Sequence, residues 1–434
     1  MPTKPESTST VAPAGHTIVD IQDLSVHFDL QGSAFARLFG RKVGTVKAVD
    51  GVNLRMRAGE VVGLVGESGS GKSTLGRSLL GLVPATSGSI FFEDVDIATM
   101  SRRDLREIRQ YVQMIFQDPN AALNPGMTIE QAVGDPLRIH GMKSADERRK
   151  RVIDALERVG LSPVELFLSK YPKDLSGGQK QRVVIARAII LGPSVLVADE
   201  PISMLDMSVR AKILQLMLDL KEQLDLTYVY ITHDLASAKF FCDRIAIMYL
   251  GRIVEIGDTA EIFANPKHPY TKALLAAIPD PDPERSMPRD LLKGEIPDAA
   301  EPPSGCAFHP RCPAAFDMCG WESRDLAATL DSHWLRTGVS TFDVERSQIA
   351  NLDELGAQEG DATLKATGQG TPDSLADMLD EVREENPEAR FWTGVDAIER
   401  EGASLTVRFH EGEDPQLRRA GNVQVACHLY PPEE

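Results

Sequence analysis

Apolar and polar residues alternate along two segments near the start of the chain, a pattern typical of half-buried strands. Residues 18–28 (IVDIQDLSVHF) form the first segment. Residues 45–56 (TVKAVDGVNLRM) predict a second pair of strands that turns at Gly51. Together these segments predict an antiparallel sheet at one edge of the fold.

Short apolar runs separated by helical patterns predict a second, parallel sheet. Residues 60–65 (EVVGLV) are followed by helical spacing over residues 74–82. Residues 194–198 and 227–231 are equally apolar and rich in β-branched side chains, and a helical pattern over residues 209–224 separates them. Strands with no polar alternation are typical of a parallel sheet covered on both faces. The core is therefore predicted to be a doubly wound α/β domain.

The rest of the chain divides by composition. A charged helical pattern begins near Pro119, residues 251–264 predict a last hairpin and a helix start, and the proline-rich residues 278–303 predict a linker. The predicted divisions are a disordered start (1–17), a large α/β domain (18–277, with a helical subdomain over about 119–175), a cysteine-containing extension (278–330), an acidic insertion (331–420) and the end of the extension (421–434). Within the insertion, residues 375–382 predict a helix, residues 405–409 predict a strand, and residues 356–372 predict a flexible segment.

Charge and hydropathy narrow the class of protein. The formal net charge is −17, and the residues from Trp321 onward include 24 acidic and 10 basic side chains, which argues against a nucleic-acid partner. The longest apolar stretch, residues 183–198, is interrupted by Arg187 and Pro193 and is too short to span a bilayer. The first fifteen residues lack the apolar core of a secretory signal. We therefore expect a cytoplasmic protein, and its acidic, lysine-poor composition suggests a salt-rich cytoplasm such as that of a halophilic archaeon.

One glycine-rich segment carries a phosphate-binding motif, G-x-x-x-x-G-K-[ST], between a predicted strand and a predicted helix. Glycines let the backbone wrap closely around a phosphate with its N–H groups pointing inward. Lys72 would supply charge for the β and γ phosphates, and Ser73 a hydroxyl for Mg²⁺. The predicted loop residues are Gly66, Glu67, Ser68, Gly69, Ser70, Gly71, Lys72, Ser73 and Thr74.

Two acids follow the apolar strand predicted over residues 194–198. Asp199 is at the strand end, where it could hold Mg²⁺ through water. Glu200 is placed to act as a general base on an attacking water. A chance glycine turn and a solvated acidic turn are the alternatives, and the presence of both motifs argues against them.

The segment LSGGQ resembles the signature of ABC proteins. It comprises Ser176, Gly177, Gly178 and Gln179 after a leucine. The resemblance implies a head-to-tail dimer in which the signature of one subunit closes on the nucleotide held by the other. It also implies a Q-loop at Gln117 that contacts Mg²⁺, a D-loop at Asp206, a switch histidine at His233 and an adenine-stacking Phe28. The resemblance implies that residues 18–277 fold as an ABC-type P-loop ATPase domain with a parallel core sheet, an antiparallel edge subdomain and a helical signature subdomain. The C-terminal extension that contains the cysteines follows this domain.

Further segments resemble the ATPases of oligopeptide/dipeptide permeases, among them GESGSGKSTLGR, QMIFQDPNAALNP, HPYTKALLAAIP and GCAFHPRCP. The KSTLGR form and the segment before AVDG are similar to the F-type subunit. The resemblance implies ATP with Mg²⁺, a D-type ATPase as heterodimer partner, two membrane permeases and an extracellular or periplasmic binding protein. It places the chain peripherally at the cytoplasmic face of the cell membrane.

Four cysteines near the end of the chain have the spacing C-x5-C-x6-C-x107-C. They are Cys306, Cys312, Cys319 and Cys427. In the family this extension carries such cysteines, and some members bind a [4Fe–4S] cluster there. Four thiolates also suit zinc, and unliganded thiols are the third alternative. The 107 residues before Cys427 exceed the usual family spacing.

Two alternative functions stay open. An importer of nickel, glutathione or oligosaccharides would use the same ATPase, because cargo choice belongs to the binding protein and permeases. An ABC ATPase acting on ribosomes or DNA is the alternative from another class. Such proteins typically carry two nucleotide domains or long coiled coils, and this chain has a single phosphate-loop motif.

Overall fold

The computed structural model describes residues 15–30, 44–278, 294–337, 339–358 and 360–431. Three predicted segments lie mostly outside these ranges: the disordered start, the family-like segment before AVDG and the proline-rich linker. Thr17, the last residue of the predicted disordered start, is the first residue of a strand. Within the described ranges, no helix is both long and apolar enough to cross a bilayer. The chain forms two compact units, Met1–Asn265 and Pro266–Glu434.

The first unit contains ten strands and ten α-helices among its described residues, together with a 3-10 helix at Pro172–Asp174. The strands are β1 (Thr17–Asp29), β2 (Thr45–Arg57), β3 (Val61–Val65), β4 (Ser87–Phe92), β5 (Val95–Asp96), β6 (Val112–Ile115), β7 (Val195–Asp199), β8 (Thr227–Thr232), β9 (Arg244–Tyr249) and β10 (Arg252–Asp258). The helices are α1 (Lys72–Ser78), α2 (Arg102–Ile108), α3 (Pro119–Ala122), α4 (Ile129–Ile139), α5 (Ala145–Arg158), α6 (Glu165–Leu168), α7 (Gly177–Ile189), α8 (Met207–Leu224), α9 (Leu235–Phe241) and α10 (Thr259–Ala264).

Strands β2, β1, β4 and β5 form the antiparallel sheet, in that order. The prediction of two strands turning at Gly51 is wrong, because β2 runs continuously from Thr45 to Arg57 beside β1. Gly51 has a φ of +66°, and the register of the pair shifts near it. A glycine at positive φ allows a bulge without ending a strand, so the turn signal marks an irregularity within one strand.

The core sheet of the first unit has the order β6-β7-β8-β3-β9-β10. Its first five strands run parallel, and β10 returns antiparallel to β9. All residues of β3, β7 and β8 are buried, which agrees with the apolar runs in the sequence. Parallel strands bring their carboxyl ends to one edge, where open α/β sheets bind ligands. The phosphate loop and the acidic pair both follow strands at this edge.

Short helices fill the region between β6 and α7, as its charged periodic pattern predicts. Helix α4 begins at a capping box, in which Thr128 and Gln131 exchange side-chain and backbone hydrogen bonds. The side chain of Ser144 caps α5 by accepting a bond from the backbone of Glu147. Such caps satisfy the unpaired N–H groups at a helix start, so the sequence fixes where these helices begin.

The second unit contains a cysteine-bearing segment and an insertion with helices and strands of its own. Its elements are α11 (Pro269–Ala276), α12 (Ser323–Thr337), α13 (Val339–Gln348), α14 (Leu352–Leu355), β11 (Ala362–Lys365), α15 (Pro372–Glu385), β12 (Val395–Glu401), β13 (Ser404–Phe409), β14 (Arg418–Ala420) and β15 (Val423–Val425). We call residues 321–412 the inserted module.

The inserted module has a core of its own. Strands β11, β13 and β12 form an antiparallel sheet in that order. Buried side chains from its helices and strands include Leu326, Leu364, Leu375, Leu405 and Val407. The helix predicted over residues 375–382 and the strand over residues 405–409 are confirmed. The flexible segment predicted over residues 356–372 is wrong in part, because β11 lies within it and pairs with β13.

Candidate nucleotide site

The phosphate loop connects the end of β3 to the start of α1. Gly69 and Gly71 have φ angles of +82° and +98°, which favour glycine. A side chain at Gly71 would also collide with the carbonyl oxygen of Ala48, and one at Gly66 with that of Met248. The backbone path of the loop therefore requires glycine at these positions.

Lys72 is folded into this loop. Its Nζ donates hydrogen bonds to the carbonyl oxygens of Gly66 (2.8 Å) and Glu67 (2.7 Å) and to Oγ of Ser70 (3.1 Å). Burial lowers the pKa of the Lys72 ammonium, and the charges of Glu200, Asp199 and Glu67 oppose that shift. All three ammonium donors are therefore held by loop oxygens at the position where a phosphate oxygen could replace one of them.

Ser73 and Asp199 meet across the site. The Ser73 hydroxyl donates to Oδ1 of Asp199 at 2.8 Å. Asp199 is buried, and burial raises the pKa of its carboxyl group, while the Ser73 bond and the nearby Arg77 guanidinium, at 3.9 Å, act to lower it. A hydroxyl and a carboxylate oxygen are hard donors of the kind that Mg²⁺ prefers, so the pair fits the predicted metal position.

Glu200 joins two further predicted residues. Its Oε1 lies 3.0 Å from Nδ1 of His233, and its Oε2 accepts a hydrogen bond of 3.0 Å from Nε2 of Gln117. Glu200 follows β7, His233 follows β8 and Gln117 follows β6. Three adjacent parallel strands thus bring these residues to one place. Glu200 also has a φ of +46°, an uncommon backbone conformation for a non-glycine residue.

A local turn fixes the position of His233. The Thr232 hydroxyl accepts a hydrogen bond from the backbone N–H of Asp234 at 3.0 Å. The Asp234 carboxylate then accepts from the N–H of Ala236 at 2.9 Å and caps α9. His233 itself keeps an exposed side chain, so its ring can exchange Glu200 for another partner.

The signature segment lies at the start of α7. Ser176 is the helix cap: its Oγ accepts from the N–H of Gln179 (3.3 Å), whose side chain accepts from the Ser176 N–H (3.0 Å). A side chain at Gly178 would approach Cγ1 of Val209 to 2.8 Å, which explains a glycine there. The helix start of α7 therefore packs against α8, next to the predicted D-loop at Asp206.

The remaining predicted residues have simple placements. Phe28 lies near the end of β1 with 44% of its surface exposed, as a stacking platform requires. Glu67 and Ser68 lie in the phosphate loop, Thr74 lies in the first turn of α1, and Gly177 is the first residue of α7. Asp206 precedes α8 and makes no side-chain capping bond.

Sequence reasoning missed one connection between the Q-loop segment and the signature helix. Lys180 of α7 donates a 2.8 Å hydrogen bond to Oδ1 of Asn120, three residues after Gln117. Arg187 of the same helix donates to the carbonyl oxygen of Ala122 at 2.7 Å. Both α7 residues have helical spacing on one face, but nothing local in the sequence identifies their partners.

The four clustered cysteines line one pocket in the second unit. The pocket is lined by Cys306, Cys312, Cys319 and Cys427 together with His268, His309 and His428. Burial raises the pKa of the Cys306 and Cys319 thiols, and raises that of Cys312 to about 12. Within the described ranges, no group of three or more histidine, cysteine or acidic side chains is arranged to hold a metal ion. The fifth, Cys242, is buried in the first unit.

A glycine-rich loop between a buried strand and a helix, with an acidic pair after a neighbouring parallel strand, defines a P-loop nucleoside triphosphatase. Family comparison refines this class. Residues 49–203 match the ABC transporter model, and residues 254–319 match the model of the oligopeptide/dipeptide transporter C-terminal region.

Two oligopeptide transport proteins are similar to this chain over at least 70% of its length. The oligopeptide transport ATP-binding protein OppF of Salmonella typhimurium is 46% identical over 305 residues, covering 70% of this chain and 90% of the relative. AppF of Bacillus subtilis is 43% identical over 322 residues, covering 74% and 96%. A solved dimeric ATP-binding cassette with ADP and phosphate is 32% identical, with a TM-score of 0.49, covering 56% of this chain and 98% of that one. The chain belongs to the ABC transporter ATP-binding proteins of the oligopeptide/dipeptide transport family.

Proposed function

We propose that this chain is the F-type ATPase subunit of an ABC importer for oligopeptides or dipeptides. The observation that carries the proposal is the convergence of Glu200, His233 and Gln117 beside the phosphate loop. The relatives OppF and AppF are named as oligopeptide transport proteins, which supports the peptide cargo. The match of residues 254–319 to the oligopeptide/dipeptide C-terminal model supports it independently of the ABC transporter match at residues 49–203.

Each side chain of the site has a separate role in hydrolysis. Lys72 exchanges a loop oxygen for the β and γ phosphates of ATP and neutralises their charge. Ser73, Asp199 and Gln117 would hold Mg²⁺, which neutralises charge on the phosphates when bound. Glu200 removes a proton from the attacking water, and His233 orients Glu200 and contacts the γ-phosphate. Gln117 donates to Glu200 through Nε2, so Mg²⁺ would bind to its Oε1.

A single chain does not contain the whole site. The N–H groups at the start of α7, where Ser176 is the cap, form an anion site of their own. In the proposed assembly these groups close on the γ-phosphate held by a D-type ATPase partner, and the partner's signature closes on the nucleotide of this chain. ATP binding then favours the closed dimer, and hydrolysis favours the open one, because the two states bind nucleotide differently.

The further partners follow from the same proposal. Two membrane permeases would rest on the ATPase pair at the cytoplasmic face of the cell membrane, and an extracellular or periplasmic binding protein would deliver the peptide. The salt-rich source suggested by composition stays a prediction.

The four thiols of the second unit support a finer proposal, a [4Fe–4S] cluster held by Cys306, Cys312, Cys319 and Cys427. The donor set fits, because four cysteines line one pocket and four thiolates hold such clusters or zinc. The thiols would have to reorient and lose their protons to coordinate. Protein purified without oxygen should carry visible absorption that Cys306→Ser with Cys312→Ser removes. A colourless, metal-free native protein would contradict this proposal.

Cargo is tested with the assembled complex. Purified ATPase pair and permeases in vesicles should hydrolyse ATP faster when the binding protein is loaded with peptide. Glutathione, oligosaccharide and nickel, offered in the same assay, represent the alternative importers. Stimulation by one of these instead of peptide would keep the ATPase assignment and overturn the cargo. Stimulation by ribosomes or DNA would indicate the non-transport class.

A further inference from the structure

The inserted module leaves and rejoins the cysteine-bearing segment at one place. Gly320 and Gly412 are so close that a side chain at Gly412 would collide with the Gly320 backbone. The N–H of Glu413 donates to the carbonyl oxygen of Met318 at 3.3 Å. The long separation between Cys319 and Cys427 in sequence is therefore an insertion whose two ends lie side by side. It brings the chain back beside the first three cysteines, and Cys427 lines the same pocket as they do.

A buried pair connects the module to the cysteine loop. Asp325, on α12, accepts a bond from Nε2 of His309 at 3.1 Å, and the other ring nitrogen of His309 lies 3.0 Å from the carbonyl oxygen of Cys306. The same Oδ2 of Asp325 also accepts from the N–H of Glu322 at 2.9 Å. His309 is 1% exposed and Asp325 is 7% exposed. Asp325 thus reaches the backbone of Cys306 through the His309 ring.

An aromatic contact forms a second connection. Nε1 of Trp321 donates to the carbonyl oxygen of Phe316 at 2.7 Å, next to the Phe316 N–H that points to the sulfur of Cys319 at 3.4 Å. The Trp321 ring packs edge-on against Phe391 of the module, at 6.0 Å between centroids. Gly394 lies so close to this ring that a side chain there would collide with it. Close packing of this kind fixes the position of the cysteine loop.

The returning chain also contacts the loop on the Cys427 side. Nε2 of His428 donates to the carbonyl oxygen of Glu413 at 2.8 Å. The His428 ring lies edge-on to Phe316, at 6.4 Å between centroids. Phe316 therefore lies between the entry of the module, at Trp321, and the residue after Cys427. The module and the four-thiol pocket form one continuous packed structure.

We propose that the inserted module is a clasp that assembles and shields the four-thiol pocket, with Asp325 as a positioning residue that acts through His309. If the module were merely attached to the extension, removing its contacts with the cysteine loop would not change the reactivity of the thiols. If the module is a clasp, removing these contacts increases that reactivity. This inference concerns the metal-free full-length chain, so it rests neither on the ATPase role nor on a cluster.

The test is residue-resolved alkylation of the reduced, chelator-treated full-length protein, with each cysteine quantified by mass spectrometry. Asp325→Ala should raise the alkylation rates of Cys306 and Cys319 at least ~10-fold relative to Cys242, because a buried hydrogen bond to a charged group is lost. Cys242 is buried in the other unit and reports any global unfolding. Asp331→Ala, an exposed change on the same helix, is the matched control and should leave the rates unchanged.

Two further variants separate positioning from general damage. Asp325→Asn keeps one oxygen at the position that accepts both bonds, so it should restore slow alkylation. Gly394→Ala should expose the thiols by displacing the Trp321 ring, whereas Gly368→Ala, at an open position, should not. Wild-type rates at Cys306 and Cys319 in both Asp325→Ala and Gly394→Ala would overturn the clasp. Fast alkylation in Asp325→Asn, equal to that in Asp325→Ala, would overturn the role of Asp325.

Discussion

Replacing Glu200 by glutamine tests the chemistry of the site with the least change in shape. The carboxylate has two partners, His233 at 3.0 Å from Oε1 and Gln117 at 3.0 Å from Oε2. Glutamine fills the same space and keeps one acceptor oxygen, but it carries no charge and cannot take a proton from water. The contacts of Lys72 with the phosphate loop do not involve Glu200 directly. We therefore expect Glu200→Gln to bind ATP and to fail in hydrolysis.

The expected loss of ATP turnover in Glu200→Gln follows from the role of Glu200 as a general base. A positioned general base contributes on the order of 10²–10⁴ in rate, and a factor of 100 corresponds to about 2.7 kcal/mol in the activation barrier. Turnover should fall at least ~100-fold, while the dissociation constant for ATP changes by less than ~3-fold, because the charge-neutralising groups remain.

The assay must measure ATP hydrolysis at the nucleotide site of this chain alone. Single-turnover hydrolysis is measured on the ATPase pair, with the corresponding acid of the partner already changed to an amide. Glu222→Gln, an exposed change on α8, is the matched control and should hydrolyse ATP normally. Hydrolysis by Glu200→Gln within ~10-fold of wild type would refute the general-base assignment.

Three further results are expected. Lys72→Ala should abolish ATP binding in titration calorimetry, because its ammonium faces the phosphate position; retained affinity would contradict this. Asp199→Asn should weaken Mg²⁺-dependent ATP binding yet stabilise the metal-free protein in urea. Burial raises the Asp199 pKa above its ordinary 3.8, so the carboxyl group is neutral at lower pH and its charge destabilises the fold as pH rises through the raised pKa. The stability gained by Asp199→Asn should therefore grow with pH, and a gain that is the same at every pH would count against burial of the charge as its cause. Ser176→Ala should lower the unfolding free energy by about 1 kcal/mol through loss of a helix cap, and an unchanged urea midpoint would exclude that role.

The sequence predicts that the candidate nucleotide-site residues lie together, because the relevant signals are local. The glycine spacing before Lys72 reflects the backbone path of one loop. Asp199 ends a buried strand and Glu200 follows it, and His233 follows the next strand along the chain. Since parallel strands end at a common edge, their convergence follows once the strands are assigned.

Structural features are predicted poorly from the sequence where two contacting residues are far apart in the chain, or where one residue pattern is compatible with two structures. Gly51 has turn chemistry but allows a bulge in β2. The bonds from Lys180 to Asn120 and from His309 to Asp325 join residues with no shared periodicity. Strand β11 lies between glycine-rich segments that resemble a linker, and it is stabilised by pairing with β13.

We expect ATP hydrolysis at this site to drive peptide import. The most direct test is accumulation of labelled peptide in vesicles that contain this chain, its partner ATPase, the two permeases and the binding protein. We expect ATP-dependent peptide uptake with the wild-type chain, and loss of that uptake with Glu200→Gln although ATP still binds. Peptide uptake that proceeds unchanged with Glu200→Gln would contradict it.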